Sequence, residues 1–289
     1  MEGFRKHLEK QQLSSNTIEG YLRLAKKLLD WFKSEGLTAE KVRYADMLTY
    51  IRYAGNKGDS KRYVNEQLTV ARHYFNYLIK IGKIKDNVAA NLHVQGISRR
   101  LPHDLLSEEQ LQTIYEKYPL KGLSAKRNKV ILGMMVYQGL NTEEISKLEP
   151  EHIQLKKGKV YVPGGRRSNS RLLPLAAHQI LELQEYMNKT LPLILAVSEK
   201  ETDKVFTSTG QSKRLDNSIT KLIKNVQKYA PEVTSVKQIR MSVFTHWLSK
   251  FNIREVQYMA GHRYVSSTER YQLTSLDDLQ NDLNEYHPL

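Results

Sequence analysis

The stretch AGHRYVSSTERY, residues 260–271, carries the most specific chemical pattern in the sequence. It places His262 nine residues before Tyr271, with a small, turn-forming segment between them. Lys237 and Arg240 lie a little more than twenty residues upstream of His262. A phenol can attack a phosphodiester, while cations and neutral donors stabilise the charge that develops on the phosphoryl oxygens. The stretch therefore predicts a metal-free phosphoryl-transfer site with Tyr271 as its nucleophile.

Each of these side chains also has a plainer interpretation when it is taken alone. The sequence contains 17 tyrosines, most of which we expect to be packing residues. Lys237 and Arg240 would share one face of a helix, which could bind a single anion or simply be solvated. His262 follows Gly261 at an expected helix end, where it could donate to a phosphate or be structural. Their combination and order favour the chemical interpretation.

The composition indicates a basic globular protein with an anionic partner. The 289 residues carry a net charge of +14, and there is no cysteine. Residues 1–100 and 101–271 each have nine more Lys and Arg than Asp and Glu, whereas residues 272–289 have four acids and no Lys or Arg. Two basic halves suit a clamp around duplex DNA, because neutralised phosphates release counterions; a merely solvated surface is the alternative. Without an apolar run or signal peptide, a cytoplasmic location and no membrane contact are expected.

Helical periodicity predicts a four-helix bundle within residues 1–95. Three helices are expected around residues 18–32, 39–53 and 64–78, and a short fourth one at 88–92. The segment 96–104 has a glycine, a proline and paired arginines but little apolar periodicity, which indicates a linker between domains.

Residues 105–289 are expected to form a second, α+β domain. Ser107 starts a helix, another runs over 125–138, and residues 142–145 cap the next. Residues 159–163 and 170–175 alternate as the strands of a hairpin with a basic tip at 164–169, and the chain after Ala176 is mostly helical. The expected fold class is mainly α with a small β-sheet.

Motifs in both halves resemble those of the tyrosine recombinases, the family of phage integrases and Xer-type recombinases. LSSNTIEGY at 13–21 is similar to the S-x-x-T-I-x-x-Y of the family's SAM-like core-binding domain. VQYMAGH at 256–262 is similar to V-Q-x-x-L-G-H, and STERY at 267–271 to the T-T-x-x-Y that ends in the nucleophile. The resemblance covers nearly the whole chain. It implies a site-specific recombinase or integrase acting on double-stranded DNA, in a mobile element or in chromosome resolution.

The resemblance also implies a role for each candidate catalytic residue. Tyr271 would attack the scissile phosphate and form a 3′-phosphotyrosine bond, and Arg240 would brace the transition state. Lys237 stands where the family usually has histidine, and His262 occupies the His/Trp position. No metal or cofactor is implied, because the protein's own cations stabilise the charge.

Two positions depart from the family pattern. In QGLNTEE, residues 138–144, Asn141 replaces the first arginine of T-G-L-R-x-x-E. At the hairpin tip, Arg166 or Arg167 stands where the family has the lysine that protonates the leaving 5′-oxygen; arginine is a poor acid because its pKa exceeds about 12. Arg127 or Arg167 could restore the missing charge, and both could instead contact the DNA backbone. A DNA-binding protein of the same fold with weakened or lost catalysis is therefore the alternative function.

Further basic residues are expected to contact DNA, and the acidic tail to contact protein. The expected DNA contacts are Lys61, Arg62, Arg72, Arg99, Arg100, Arg127 and Arg167. In the tail, Leu276, Leu279 and Leu283 form a narrow apolar stripe at helical spacing. This stripe would pack on its own domain, or on a neighbouring subunit as in the tetramers that the family assembles on DNA.

Overall fold

The computed structural model describes residues 1–97, 103–166, 168–210, 212 and 214–272. The chain divides into two compact units, Met1–Arg99 and Arg100–Leu289. No helix in the described residues is long and apolar enough to cross a membrane. The expected DNA contacts Arg99, Arg100 and Arg167, most of the predicted linker and the acidic tail lie outside the described residues.

The first unit is a bundle of four helices, as the fold class predicted. They are α1 (Glu2–Lys10), α2 (Ser15–Ser34), α3 (Tyr44–Asn56) and α4 (Lys61–Lys80). The hydroxyls of Ser14 and Ser60 accept from the backbone N–H groups of Thr17 and Tyr63 and so cap α2 and α4.

The composition of this bundle differs from the prediction at both ends. Residues 88–91 form turns rather than the predicted short helix, and α1 is the fourth helix instead. Only Phe4 and Leu8 of α1 are buried, so the apolar periodicity of this segment is too short to predict a helix. These two side chains pack against Ile18, Leu24 and Val70, and this packing fixes a helix that periodicity alone does not reveal.

The described part of the second unit contains eight further numbered α-helices. They are α5 (Glu108–Glu116), α6 (Leu123–Val136), α7 (Thr142–Ser146), α8 (Ala177–Glu185), α9 (Leu191–Ser198), α10 (Asp216–Val226), α11 (Val236–Leu248) and α12 (Ile253–Ala260). A π-helical turn, Tyr186–Thr190, joins α8 to α9, and residues 266–272 are also helical. The whole of α6 from Arg127 to Val136 is buried, so this helix forms the centre of the unit.

A three-stranded antiparallel sheet with the order β1-β2-β3 packs beside these helices. Its strands are β1 (Ile153–Gln154), β2 (Lys159–Val162) and β3 (Arg171–Pro174). The predicted hairpin corresponds to β2 and β3, paired so that Val160 faces Leu173 and Val162 faces Arg171. Strand alternation buries Val160, Val162 and Leu173, and it buries Arg171 with them. A charged side chain at an inward position requires a partner inside the unit.

Candidate active site

Arg240 lies on α11 and is held by three elements at once. Its Nη1 pairs with Oε2 of Glu144 at 2.6 Å and donates to the Gly139 carbonyl at 2.5 Å. Its Nη2 donates to the Ala260 carbonyl at 2.9 Å. Burial lowers the pKa of Arg240 from its ordinary value, and the nearby Glu144 carboxylate opposes this shift. The side chain is 14% exposed, so a small part of it can reach a ligand.

Glu144 is a buried carboxylate between two guanidiniums. Its Oε2 contacts Arg240, and its Oε1 lies 2.8 Å from Nη1 of Arg171, whose side chain is fully buried. Burial alone would raise the pKa of Glu144, but Arg240, Arg171 and hydrogen bonds outweigh it and lower the pKa below its ordinary value. Glu144 is therefore an anion that fixes two cations in place.

Asn141 caps the short helix α7 and positions Glu144. Its Oδ1 accepts from the Glu144 N–H at 2.9 Å, and its own N–H donates to Glu144 Oε2 at 2.9 Å. This reciprocal pair is a capping box that begins at Asn141, one residue before the predicted cap. Asn141 thus holds the partner of Arg240; a direct contact between Asn141 and a phosphate stays a prediction.

Three successive carbonyl groups at the end of α12 are bound by groups from outside that helix. Met259 O accepts from Arg171 Nε at 2.7 Å, Ala260 O from Arg240 Nη2, and Gly261 O from the N–H of Asn169 at 2.9 Å. A helix leaves its last carbonyls without internal partners, and these donors satisfy them. The next residue is His262, so the same contacts fix the start of the His262–Tyr271 segment.

The ring of His262 lies between the hairpin and Tyr271. Its backbone pairs with Ser168 of the hairpin tip, and its Nδ1 is 2.9 Å from Oγ1 of Thr268. Burial, reinforced by the charges of Arg240, Arg270 and Arg171, lowers the pKa of His262 to about 4. The imidazole is therefore neutral at physiological pH.

Tyr271 is buried, with 2% of its surface exposed. Its ring is parallel to that of His262, with centroids 6.1 Å apart and planes 6° apart. Its hydroxyl accepts a hydrogen bond from Nη2 of Arg270 at 2.5 Å, and the Arg270 guanidinium lies 4.6 Å from the ring centroid. In this conformation the oxygen that would attack a phosphate is enclosed by the protein.

Phe244 brings the candidates together. Its ring is perpendicular to both His262 and Tyr271, at centroid distances of 5.4 and 5.6 Å. The Arg240 guanidinium lies 4.5 Å from the same ring centroid. Phe244 is not among the predicted site residues, because one apolar residue within a helix gives no signal for such a role.

The remaining predicted catalytic residues, Lys237 and Arg166, are exposed at the rim of this region. Lys237 lies one turn before Arg240 on α11. Arg166 lies at the hairpin tip, next to Gly165, which pairs with Ser168.

The hairpin tip has a second basic neighbour, Lys147, at the end of α7. Its Nζ is 3.7 Å from the position that a β-carbon on Gly165 would occupy. The ammonium is also paired with Oε1 of Glu143 at 2.6 Å, and the Lys147 side chain is 44% exposed. Lys147 is not among the predicted site residues, because nothing in its spacing links α7 to the hairpin.

The expected DNA contacts fall into two groups in the structure. Lys61 and Arg62 are exposed at the start of α4. Arg72 is half-buried and donates to Leu92 O at 2.6 Å and Thr69 Oγ1 at 2.8 Å. Arg127 is 2% exposed and donates to Asn128 Oδ1 and Thr207 O. The prediction for Arg127 is therefore wrong. Its buried guanidinium donates to groups inside the unit, so it is not placed to contact a phosphate or to replace the missing arginine.

One group of side chains in the described part of the chain could hold a metal ion. Glu149, Glu151 and His152 have ligand atoms within 4.8 Å of one another. However, the Lys204 ammonium pairs with Glu149, and His152 Nδ1 is 3.0 Å from the Glu149 N–H. Both contacts compete with a metal, so the donor set does not fit a cation site well.

Comparisons with known proteins concern both units. The Phage integrase family matches residues 104–275, and the N-terminal SAM-like domain of phage integrases matches residues 1–82. Tyrosine recombinase XerC of Oceanobacillus iheyensis is 23% identical over 279 residues, which cover 95% of this chain and 91% of the relative. Tyrosine recombinase XerD of Shewanella oneidensis is 26% identical over 279 residues, which cover 96% and 92%.

A solved structure shows the same fold. The XerH site-specific recombinase bound to a palindromic difH substrate matches with a TM-score of 0.72 and 17% identity, covering 92% of this chain and 78% of that one. The integrase match spans more than half of the sequence, and it confirms the resemblance found in the motifs. The chain therefore belongs to the phage integrase family of tyrosine recombinases.

Proposed function

We propose that the protein is a site-specific DNA recombinase that cuts and rejoins the strands of duplex DNA through a covalent bond to Tyr271. The observation that carries this proposal is the packing of Arg240, His262 and Tyr271 around Phe244. A nucleophile, a guanidinium and a neutral imidazole meet there on three segments of one unit. Membership of the tyrosine recombinases supports the same reaction class.

In the proposed reaction the phenolic oxygen of Tyr271 displaces the 5′-oxygen at the scissile phosphorus. Arg240 and His262 would donate hydrogen bonds to the phosphoryl oxygens, and Lys237 and Arg166 would add positive charge from the rim. Glu144 and Asn141 would not touch the phosphate. Glu144 binds Arg240, and Asn141 positions Glu144. Because the Tyr271 hydroxyl is bonded to Arg270, cleavage requires this contact to open when DNA is bound.

The DNA-binding surface and the assembly belong to the same proposal. Among the described residues, Lys61 and Arg62 are the exposed candidates for backbone contacts, and the contact predicted for Arg72 stays a prediction. A charge of +14 favours binding to a polyanion. The relative with a solved complex binds a DNA substrate. Three further points stay predictions. They are the docking of the acidic tail on a neighbouring subunit of a tetramer, the domain limits 1–95 and 105–289, and a cytoplasmic location.

Formation of a covalent adduct tests the function directly. Sites would be selected from a library of random duplexes by binding, and a nicked version of the selected site would trap the intermediate. We expect the wild-type protein to form an adduct that resists denaturation, and Tyr271→Phe to form none while binding the same DNA. Binding without an adduct in the wild type would favour the alternative, a DNA-binding protein that has lost catalysis.

A gain-of-function variant separates these two outcomes further. Asn141→Arg restores a guanidinium at the position where the family has its first arginine, at the expense of the α7 cap. If the wild type binds but does not cleave, an adduct in this variant would show that Tyr271 and the rest of the site are competent. Asn141→Lys controls for the added charge alone.

A further inference from the structure

Strand transfer needs a proton donor as well as a nucleophile. When the bond between phosphorus and the 5′-oxygen breaks, its electron pair stays on that oxygen, which must be protonated to leave readily. Guanidinium groups stay protonated in proteins and are therefore poor proton donors, which excludes Arg240, Arg171 and Arg166. The pKa of His262 is lowered to about 4, so its neutral ring has no additional proton to donate at physiological pH. A lysine ammonium is the remaining type of group.

The hairpin tip lies beside the site and has no lysine of its own. Its Ser168 pairs with His262, and Gly165 pairs with Ser168. Gly165 has no side chain, and a β-carbon there would lie 3.3 Å from Oγ of Ser168 and 3.7 Å from Nζ of Lys147. Lys147 thus brings an ammonium from α7 to Gly165, the residue before Arg166 at the hairpin tip.

The short helix α7 also connects Lys147 to the guanidinium cluster. Asn141 is the N-cap of this helix, Glu144 on its first turn binds Arg240 and Arg171, and Lys147 is its C-cap. The position of Lys147 relative to Arg240 is therefore set by five helical residues. Glu143, one turn before Lys147, forms an ion pair with its ammonium at 2.6 Å, which holds Nζ in place.

We propose that Lys147 is a catalytic residue that protonates the leaving 5′-oxygen. This proposal rests on the function proposed above. The bond between the Tyr271 oxygen and phosphorus forms, and the bond between phosphorus and the 5′-oxygen breaks. The phenolic proton passes to water, while the 5′-oxygen takes a proton from Lys147, whose neutral amine is recharged from solvent. In the rejoining step the same amine accepts the proton of the attacking 5′-hydroxyl.

A substrate with sulfur in place of the bridging 5′-oxygen tests this role. A thiolate leaves without protonation, so a missing general acid slows cleavage of the oxygen substrate only. On nicked oxygen DNA we expect Lys147→Ala to form the Tyr271 adduct about 100-fold more slowly than the wild type, within the range of general acid catalysis. On the sulfur substrate the two rates should agree. Lys147→Arg keeps the charge and should remain slow on the oxygen substrate.

Two controls accompany these variants. Lys126→Ala removes another exposed lysine of the same unit, paired with Glu185 at 3.4 Å, and should match the wild type on both substrates. Lys237→Ala tests the other exposed lysine near the site and should be slow on both, because its charge and not its proton is needed.

The outcomes separate this proposal from the function on which it rests. A wild type that forms no adduct with oxygen DNA contradicts the proposed function itself. With a working wild type, equal defects of Lys147→Ala on both substrates, or no defect on either, would overturn the assignment. If the sulfur substrate restored the rate of Lys237→Ala but not that of Lys147→Ala, the general acid would be Lys237 on α11. That result would overturn the assignment as well.

Discussion

The backbone of Gly261 lies against the guanidinium of Arg171 so closely that a β-carbon there would be 2.5 Å from Nη1. Gly261 also has a φ of +70°, in the left-handed region. Two requirements therefore favour glycine at the residue before His262. The backbone is left-handed, and there is no room for a β-carbon beside Arg171.

Gly261→Ala is expected to destabilise the second unit. Left-handed backbone at a non-glycine residue costs about 1–3 kcal/mol, and displacement of the Arg171 guanidinium adds to this cost. Gly158→Ala is the matched control, because Gly158 has a φ of +60° but a new β-carbon would lie at an ordinary 3.4 Å from Ile180. Urea unfolding of both variants measures the difference, and equal losses would show that the contact with Arg171 contributes nothing.

Glu144→Gln should be severely destabilising. The substitution leaves Arg171 and Arg240 buried beside each other without their shared anion, and breaking a buried ion pair costs about 3–5 kcal/mol. Glu143→Gln, at an exposed neighbouring position, should cost less than about 1 kcal/mol. Chemical denaturation compares the two; a small loss in Glu144→Gln would mean that the two arginines do not depend on the carboxylate.

Asn141 should matter for stability through its cap. Asn141→Ala is expected to lose about 1 kcal/mol, whereas Asn141→Ser retains an oxygen that can accept from the Glu144 N–H and should stay near the wild type. Thermal unfolding of the three proteins tests this expectation. If serine is no better than alanine, the side chain acts by some contact other than the cap.

The burial of His262 predicts loss of stability in mild acid. An imidazole has a pKa of about 6.5 in an unfolded chain, whereas the pKa of His262 in the folded protein is about 4. Between these pH values the unfolded chain binds more protons, so stability falls as the pH is lowered from about 6.5 to about 4. In His262→Gln, the urea concentration at the unfolding midpoint should depend less on pH over this range than in the wild type. An unchanged slope would place the titration of His262 near its ordinary value.

Phe244→Leu should slow cleavage more than it weakens DNA binding. Leucine cannot present a flat face to His262, Tyr271 and Arg240, and misplacement by about 1 Å can reduce a rate about 100-fold. Phe206→Leu is a suitable control, since Phe206 is also buried and stacks on Tyr186 at 5.5 Å. Single-turnover adduct formation at saturating protein gives the rates. Equal effects of the two variants would reduce Phe244 to a general packing residue.

Local patterns predicted much of the second unit. The alternation in 159–175 indicated the hairpin, and the capping sequence at Ser107 indicated the start of α5, because both depend on neighbouring residues. The cap at Asn141 was also readable, since Asn followed three residues later by Glu is a capping-box pattern. The prediction for Asn141 concerned the charge that is missing there relative to the family's arginine. The structure shows that its amide caps α7.

Contacts between distant segments could not be predicted in the same way. Arg171 and Glu144 are far apart in sequence, and no spacing shows that strand β3 turns an arginine inward onto the carboxylate of α7. The inward position of a charged residue in an alternating strand indicates that a partner exists, but not which one. The hydrogen bond from Arg270 to the Tyr271 hydroxyl is equally invisible, because sequence neighbours on a helix usually point in different directions.

The three carbonyls that end α12 depend on groups from α11, β3 and the hairpin. The donors Arg240, Arg171 and Asn169 lie 20, 88 and 92 residues before the carbonyls that they bind, so these carbonyls are satisfied only after α12 has packed on all three segments. We therefore expect His262 and Arg240 to be positioned only when this packing is complete. A partly folded chain would hold Tyr271 without these partners, so we expect strand cleavage only from the completely folded second unit.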